Sequence, residues 1–328
     1  VIAVVLVGGE GTRLRPLTFT TPKQLLPIAG VPMIERVIAN LARHGIDDVV
    51  LSMGYRPDAF VEAYPDERCA HLPVRYAIEP ELMDTAGAVR FAATWAGIDE
   101  RFVVVNGDVL TELDLGELLS LHAERGAEAT ISLTPVDDPS RFGVVPTDAM
   151  GRVLAFIEKP PPGDAPTNLI NAGTYVLEPS VLERIPGGRR VSIERETFPA
   201  LVEAGGLYAL ASEAYWIDTG TPETYLQANL DLIGPEGLVE GAVIDVGAVV
   251  EHSVVGPGAR VASGAVVRDS VLLPGAVVGA HSRVERSVLG AGASIGEQAT
   301  VGDLTILGDG SVVPDGAVLS GARVPEPA

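Results

Sequence analysis

Through the last third of the chain an aliphatic side chain returns every sixth residue. It stands at Val243, Val249, Val255, Val261 and Val267, then at Leu272, Val278 and Val284, then at Leu289, Ile295, Val301, Leu307, Val313 and Leu319. The two breaks in phase are each one residue short. Glycine often sits beside the aliphatic position, as in "VVGPGARV" and "VLGAGASIG", and charged residues thin out in favour of Val, Gly, Ala and Ser. A sixfold repeat with an inward aliphatic and small turn residues predicts a parallel β-helix, in which three units close one triangular coil.

The first two thirds follow another rule. "VIAVVLV" at the start is β-branched and apolar, as a buried parallel strand requires. Helical spacing over 31–45, "VPMIERVIANLARHG", stops at a glycine. Strand-like "DDVVLSM" and "PVRYAIE" follow, then helical "TAGAVRFAATWAG", strand-like "RFVVVNGDV", helical "ELLSLHAERG" and strand-like "AEATISLTPV". That alternation predicts an α/β unit with a mostly parallel, Rossmann-like sheet covered by helices on both faces. Shorter strands are expected in "FGVVPT", "RVLAFIEKP" and "INAGTYVLE", with "KPPPGDAP" as a loop, a closing helix over 221–233 and a "GPEG" linker. The expected domains are 1–235 and 236–328.

Bulk properties narrow the partners. A net charge of −21 argues against duplex nucleic acid or an anionic membrane as the main partner, while leaving room for a small anionic substrate held by a few local cations. Cys69 is the single cysteine, which precludes an intrachain disulfide and fits a reducing compartment such as the cytoplasm. "VIAVVLV" is too short to span a bilayer and lacks the flanks of a signal peptide. A start at Val1 rather than Met suggests that a few residues have been trimmed.

The first strand empties into "GGEGTRLRPLTFTTPK" at 8–23. This composition is poor for a helix or a core and suits a loop that wraps an anion. The Walker pattern is absent, and the dinucleotide fingerprint fails because Leu14 stands where its last glycine belongs. Gly8, Gly9 and Gly11 let backbone N–H groups approach a phosphate, while Arg13 and Lys23 supply positive charge. Ligands in such sheets sit beyond the carboxyl ends of the strands, so this loop and 106–108 should meet at one rim.

The loop resembles the signature of the sugar-1-phosphate nucleotidyltransferases, G-G-x-G-T-R-L-x-P-L-T-x-x-x-P-K, and matches it without departure. The hexapeptide tail is similar to the left-handed β-helix domains found in the same family. The resemblance implies a nucleotide site formed by Leu6, Gly8, Gly9, Gly11, Thr12, Arg13, Lys23, Glu79, Thr85, Asn106, Gly107 and Asp108. It implies a catalytic set of Arg13, Lys23, Asp108 and Asp218, with Asp108 and Asp218 as ligands of Mg²⁺. It assigns Gly143, Glu158, Lys159 and Asn171 to the sugar phosphate. Glu194 matches a family position too, although a carboxylate at a helix N-terminus is its plain reading. Two departures stand out: Gly107 where serine is common, and Asp84 where glycine is common.

Guanine presents adjacent donors that one carboxylate can accept together, so Glu79 either reads guanine or is an exposed strand-end glutamate. Whole-chain resemblance implies guanylyl transfer from GTP to mannose 1-phosphate in a homo-oligomer. Uridylyl or thymidylyl transfer to glucose 1-phosphate, and a non-catalytic sensor of nucleotide sugars, are the alternatives. An acyltransferase β-helix would need a histidine near a loop leaving the coils, whereas His252 and His281 lie within regular repeats.

Overall fold

The computed structural model describes residues 1–327; Ala328, the last residue of the expected second domain, lies outside them. The chain forms two compact units. One joins Val1–Gly9 to Ile34–Trp216, and the other joins Glu10–Met33 to the chain from Ile217 onward.

In the first unit the strand Ile2–Leu6 lies between Asp48–Met53 and Phe102–Asn106, parallel to both, and Leu72–Ile78 extends the parallel set. Ala3, Val4 and Val5 are fully buried, the mark of a strand covered on both faces. The helix Asp84–Ala96 packs its small residues Ala86, Val89, Ala92 and Ala93 into the same core as Val4, Val50 and Val104. The helix Leu115–Arg125 starts where Asp114 accepts the N–H groups of Gly116 and Glu117, and stops at Gly126 in the left-handed region.

The parallel order then breaks. Leu169–Leu177 runs antiparallel to both Phe102–Asn106 and Ala129–Pro135, with a register shift between Asn171 and Tyr175. Helix Phe198–Ala204, which continues the turn that Glu194 opens, and strand Leu207–Ala211, not marked by the sequence pattern, complete this side. The strand expected in "RVLAFIEKP" shrinks to Ile157–Glu158, paired with Gly143–Val144.

The second unit contains the left-handed β-helix, three parallel sheets of six, five and five strands. Its interior is the aliphatic ladder, with Val255, Val261, Val267, Leu272, Val278 and Val284 among its fully buried members. Three full hexads would give 18 residues per coil, but equivalent corner residues of the earlier coils lie 17 apart. The missing residue is lost at one corner. There His252, Asp269 and Arg286 take left-handed backbone, and Ser253, Ser270 and Ser287 turn inward. Each serine hydroxyl donates to a carbonyl two residues back, and those of Ser253 and Ser270 accept the N–H of the next coil's serine at 3.1 Å.

The same cut falls between Val250 and Val255, which corrects the phase of the first coil. Ile244 and Val250 align with the buried Val261 and Val267, so Val243 and Val249 point outward, 55% and 37% exposed.

This unit also holds the arm 10–33. The arm is three short 3₁₀ turns, Thr12–Leu14, Leu17–Phe19 and Lys23–Leu25, followed by the hairpin Pro27–Ile28 and Val31–Pro32. The helix Pro222–Asp231 grips its base: Tyr225 donates to the Pro27 carbonyl at 2.7 Å, and the buried Asn229 accepts the Ala29 N–H at 2.8 Å.

Candidate active site

At the rim of the first unit Leu6 pairs with Asn106, and the Gly107 N–H donates to the Leu6 carbonyl at 3.0 Å. Gly8 and Asp108 leave these two strand ends. A Cβ on Gly107 would lie 2.7 Å from Val7 Cγ1 and 2.9 Å from the Leu6 carbonyl oxygen. The serine common in the family has no room on this backbone, which accounts for the departure. A Cβ on Gly8 would lie 3.3 Å from Glu79 Oε1, so the loop starts against that carboxylate.

Glu79 is 8% exposed, which removes the reading of an exposed strand-end residue. It accepts from the Ser52 hydroxyl at 3.1 Å and from the Met83 N–H at 3.2 Å. Burial pushes its carboxyl above the ordinary range, and these two bonds offset only part of that. The Thr85 hydroxyl is engaged by the chain itself, donating to Glu194 and accepting the Ile193 N–H, both at 2.8 Å. Asp84 has φ +60°, a conformation that favours glycine, and its carboxylate accepts the Thr85 N–H. The family's glycine here answers to backbone geometry, which an aspartate adopts at some cost.

Of the residues assigned to the sugar phosphate, Asn171 bonds Tyr175 and Glu158 lies near it. Asn171 donates to the Tyr175 hydroxyl at 2.9 Å and accepts the Gly173 N–H at 3.1 Å. Gly173 has φ +77°, and a Cβ there would strike the Asn106 amide at 2.7 Å. Burial foremost, then the neighbouring Glu194, Glu158 and Asp108 carboxylates, push the Tyr175 phenol far above its ordinary value. Gly143 pairs with Glu158, and the place of its absent Cβ faces the Phe156 ring at 2.7 Å. Lys159 has φ +50°, keeps its side chain 60% exposed, and lies 3.4 Å from Glu158.

The second unit holds the cations. Gly11 has φ +64°, and the space beside it is taken by Thr18 Cγ2 and Lys23 Cβ, at 3.0 and 3.2 Å from a would-be Cβ. Thr18 donates to the Gly11 carbonyl at 2.8 Å, which folds the loop back on itself and stacks Lys23 against the glycine. The Arg13 guanidinium lies over Gly220, 2.6 Å from where a Cβ would stand. The Gly220 N–H donates to Asp218 Oδ1 at 2.7 Å, so Arg13 and the Asp218 carboxylate share one turn. Gly9 and Thr12 are on the strand-to-loop path, Thr12 opening the first 3₁₀ turn.

Sequence reading did not single out Thr18 and Ser52. Thr18 is inside the signature and is 1% exposed; Ser52 is a hydroxyl within an otherwise apolar strand, and that contrast was its signal. Cys69 is buried, and burial pushes its thiol up to about 12, which suits a side chain with no nucleophilic task. His252 and His281 occupy left-handed corners of the coils, as turn residues do.

A parallel sheet whose first strand leads into a glycine-rich cationic loop, in a chain that ends in hexapeptide coils, defines a nucleotide-handling α/β enzyme class. The nucleotidyl transferase family model matches residues 2–234, and the GMPPB C-terminal domain model matches residues 232–327. Mannose-1-phosphate guanylyltransferase of Mycobacterium tuberculosis is 41% identical over 79% of this chain and 76% of its own length. Mannose-1-phosphate guanylyltransferase 1 of Arabidopsis thaliana is 41% identical over 79% and 74%. The crystal structure of HddC from Yersinia pseudotuberculosis complexed with GMP-PN superposes with a TM-score of 0.61 at 31% identity, covering 71% of this chain and 99% of that one. The chain belongs to the nucleotidyl transferase family. No helix among the described residues is long and apolar enough to cross a membrane.

Proposed function

We propose that this chain transfers a guanylyl group from GTP to mannose 1-phosphate, releasing pyrophosphate and GDP-mannose. The names of the two relatives at 41% identity support the choice of base and sugar. The observation that carries the reaction class is the Arg13 guanidinium held against the Asp218–Gly220 turn while Lys23 stacks on Gly11, two cations ordered on the glycine-rich loop. A non-catalytic sensor would not need that charged set intact, together with Asp108 and Lys159.

An oxygen of the sugar phosphate attacks the α-phosphorus in line, and pyrophosphate departs. A phosphate monoester is already a nucleophile at neutral pH, so the chain's task is positioning and charge neutralisation rather than proton abstraction. The 8–11 backbone, Arg13 and Lys23 bind the triphosphate. Lys159 holds the attacking phosphate, while Glu158 and Asn171 meet sugar hydroxyls. Glu79 accepts from the guanine edge, Thr85, Asn106 and Gly107 complete the nucleoside contacts, and Leu6 backs the loop.

Asp108 and Asp218 are the residues we assign to Mg²⁺. Hard carboxylate oxygens suit it, and such a cation takes its remaining ligands from water and phosphate. When bound, the cation neutralises charge on the phosphates. We assign residues 1–235 to catalysis and the β-helix to assembly or regulation in a cytoplasmic homo-oligomer.

The test is pyrophosphate release with Mg²⁺ over a grid of nucleoside triphosphates and sugar 1-phosphates, for the wild type and Glu79→Gln. The expected maximum is GTP with mannose 1-phosphate, with a relaxed GTP preference in the variant. A maximum at UTP or dTTP with glucose 1-phosphate discards the guanine and mannose assignment but keeps the chemistry. Silence across the grid with tight nucleotide-sugar binding makes the protein a sensor.

A further inference from the structure

The arm bearing Arg13 and Lys23 lies in the same compact unit as the β-helix, and the last coils touch it at three points. Arg323 Nη1 donates to the carbonyl oxygens of Arg13 at 3.1 Å and Arg15 at 3.4 Å. The Thr20 hydroxyl donates to Asp309 Oδ2 at 2.5 Å. Gly308 lies beneath Pro16, so close that a Cβ would stand 3.0 Å from the proline ring. Arg323 itself is placed by strand stacking, because Arg323–Val324 pairs in register with Ile306–Leu307.

The stretch is anchored by the buried Leu14, Leu17 and Thr18, but its exposed backbone is less secured. Its 3₁₀ turns are closed by single local bonds such as Leu14 N–H to the Gly11 carbonyl and Arg15 N–H to the Thr12 carbonyl, a geometry that is weak in short pieces. A guanidinium can serve two carbonyls at once while keeping its charge. Beside Arg13, Arg15 and Lys23 it adds a fourth cation to the loop in a chain of net charge −21.

We propose that the last coil of the β-helix is the scaffold of the phosphate loop, with Arg323 the positioning residue for Arg13 and Asp309 its counterpart at Thr20. The tail then serves nucleotide binding directly, through its final strand, besides any role in assembly. The kinetic part of this inference rests on the reading of residues 8–23 as the triphosphate loop; the structural part does not.

The experiment uses the full chain with Arg323→Ala, Arg323→Lys and Asp309→Asn. Hydrogen exchange of the amides of residues 11–20 is measured beside steady-state kinetics for each substrate. Loss of a charged hydrogen-bond donor predicts about 10-fold faster loop exchange and a KM for the nucleotide raised about 5- to 10-fold in Arg323→Ala. The KM for the sugar phosphate and the thermal midpoint should stay unchanged. Arg323→Lys should recover part of the effect, and Asp309→Asn should show a smaller one in the same direction. Unchanged exchange over 11–20 in both Arg323→Ala and Asp309→Asn overturns the proposal, as does an equal KM rise for both substrates. If the wild type is inactive on every substrate, the functional reading fails, yet the exchange data still decide whether Arg323 holds the loop.

Discussion

The two units differ in the polar groups that they bury. The β-helix interior admits hydroxyls at its corners, Ser253, Ser270, Ser287 and Thr305, each bonded to backbone of its own or a neighbouring coil. The sheet unit buries hydroxyls such as Ser52 and Thr130 too, and titratable groups besides. Glu79 is desolvated against Gly8, and His122 is fully buried between Thr130 and Glu178. A neutral hydroxyl satisfied by backbone costs little to bury and does nothing but hold a corner. A buried carboxylate or imidazole is costly, and a fold keeps one where charge is put to use or where a network repays it. The polar groups buried in the coils serve stability, whereas those buried in the sheet unit include charges that chemistry can use.

The largest effect expected on the chemical side comes from Asp218→Asn. The amide oxygen can still accept the Gly220 N–H, so the turn survives while the charge is lost. Removing one preorganised electrostatic group predicts a kcat about 10²- to 10³-fold lower. Circular dichroism melting should show little change, and retention of near-normal kcat would remove Asp218 from the site. The opposite signature is expected for Leu289→Ala, at a fully buried position of the tail. Cavity formation there should cost about 2–5 kcal/mol in chemical denaturation, with kcat and both KM values unaltered at 25 °C. A kcat loss without destabilisation would erase the contrast between the units.

A smaller effect sharpens it through pH. Burial foremost depresses the His122 imidazole, against the pull of Glu178. Since a carboxylate only accepts, Nε2–H faces Glu178 at 3.1 Å and Nδ1 accepts from Thr130 at 2.9 Å. Burial also works to raise Glu178, but hydrogen bonds from Arg101 and His122 outweigh it and hold the carboxyl low. Both shifts have one sign. As pH falls through the ordinary histidine value of 6.5, the unfolded chain takes a proton that the folded chain refuses. Below the ordinary glutamate value of 4.5 the unfolded chain takes another. This pair should therefore lower the melting temperature on acidification from pH 7.5, against an opposite contribution from the raised Glu79 carboxyl, and His122→Gln should flatten the upper part of that decline. An identical slope in the variant would show that His122 does not titrate as its burial demands.

Much of this was legible beforehand because it is local. The loop signature names its own glycines and cations, and the alternation of apolar segments gives the parallel strands around Ile2–Leu6. Beyond the antiparallel strand Leu169–Leu177, pattern reading lost strand Leu207–Ala211, whose partner Ala129–Pro135 is distant in sequence. The first coil of the tail was misphased by one residue for a related reason. Val243 and Ile244 are equally apolar, and only pairing with the next coil selects the inward one. The site shows the same limit. Glu79 and a surface glutamate look alike until Ser52 and Met83 close around it. Gly107 looks like a departure until Val7 is seen filling the space of its side chain.

By itself the sequence determined the hexad ladder, the glycine-rich cationic loop and the class of chemistry they imply. These rest on spacing and side-chain type, which neighbouring residues settle among themselves. Only the tertiary structure decided that the corner serines shorten the coils, that Glu79 is desolvated, and that Arg323 reaches the carbonyls of Arg13 and Arg15. Those are contacts between residues up to 310 positions apart. No local periodicity encodes them, because burial and hydrogen-bond partners at that range exist only once the coils have stacked and the strands have paired.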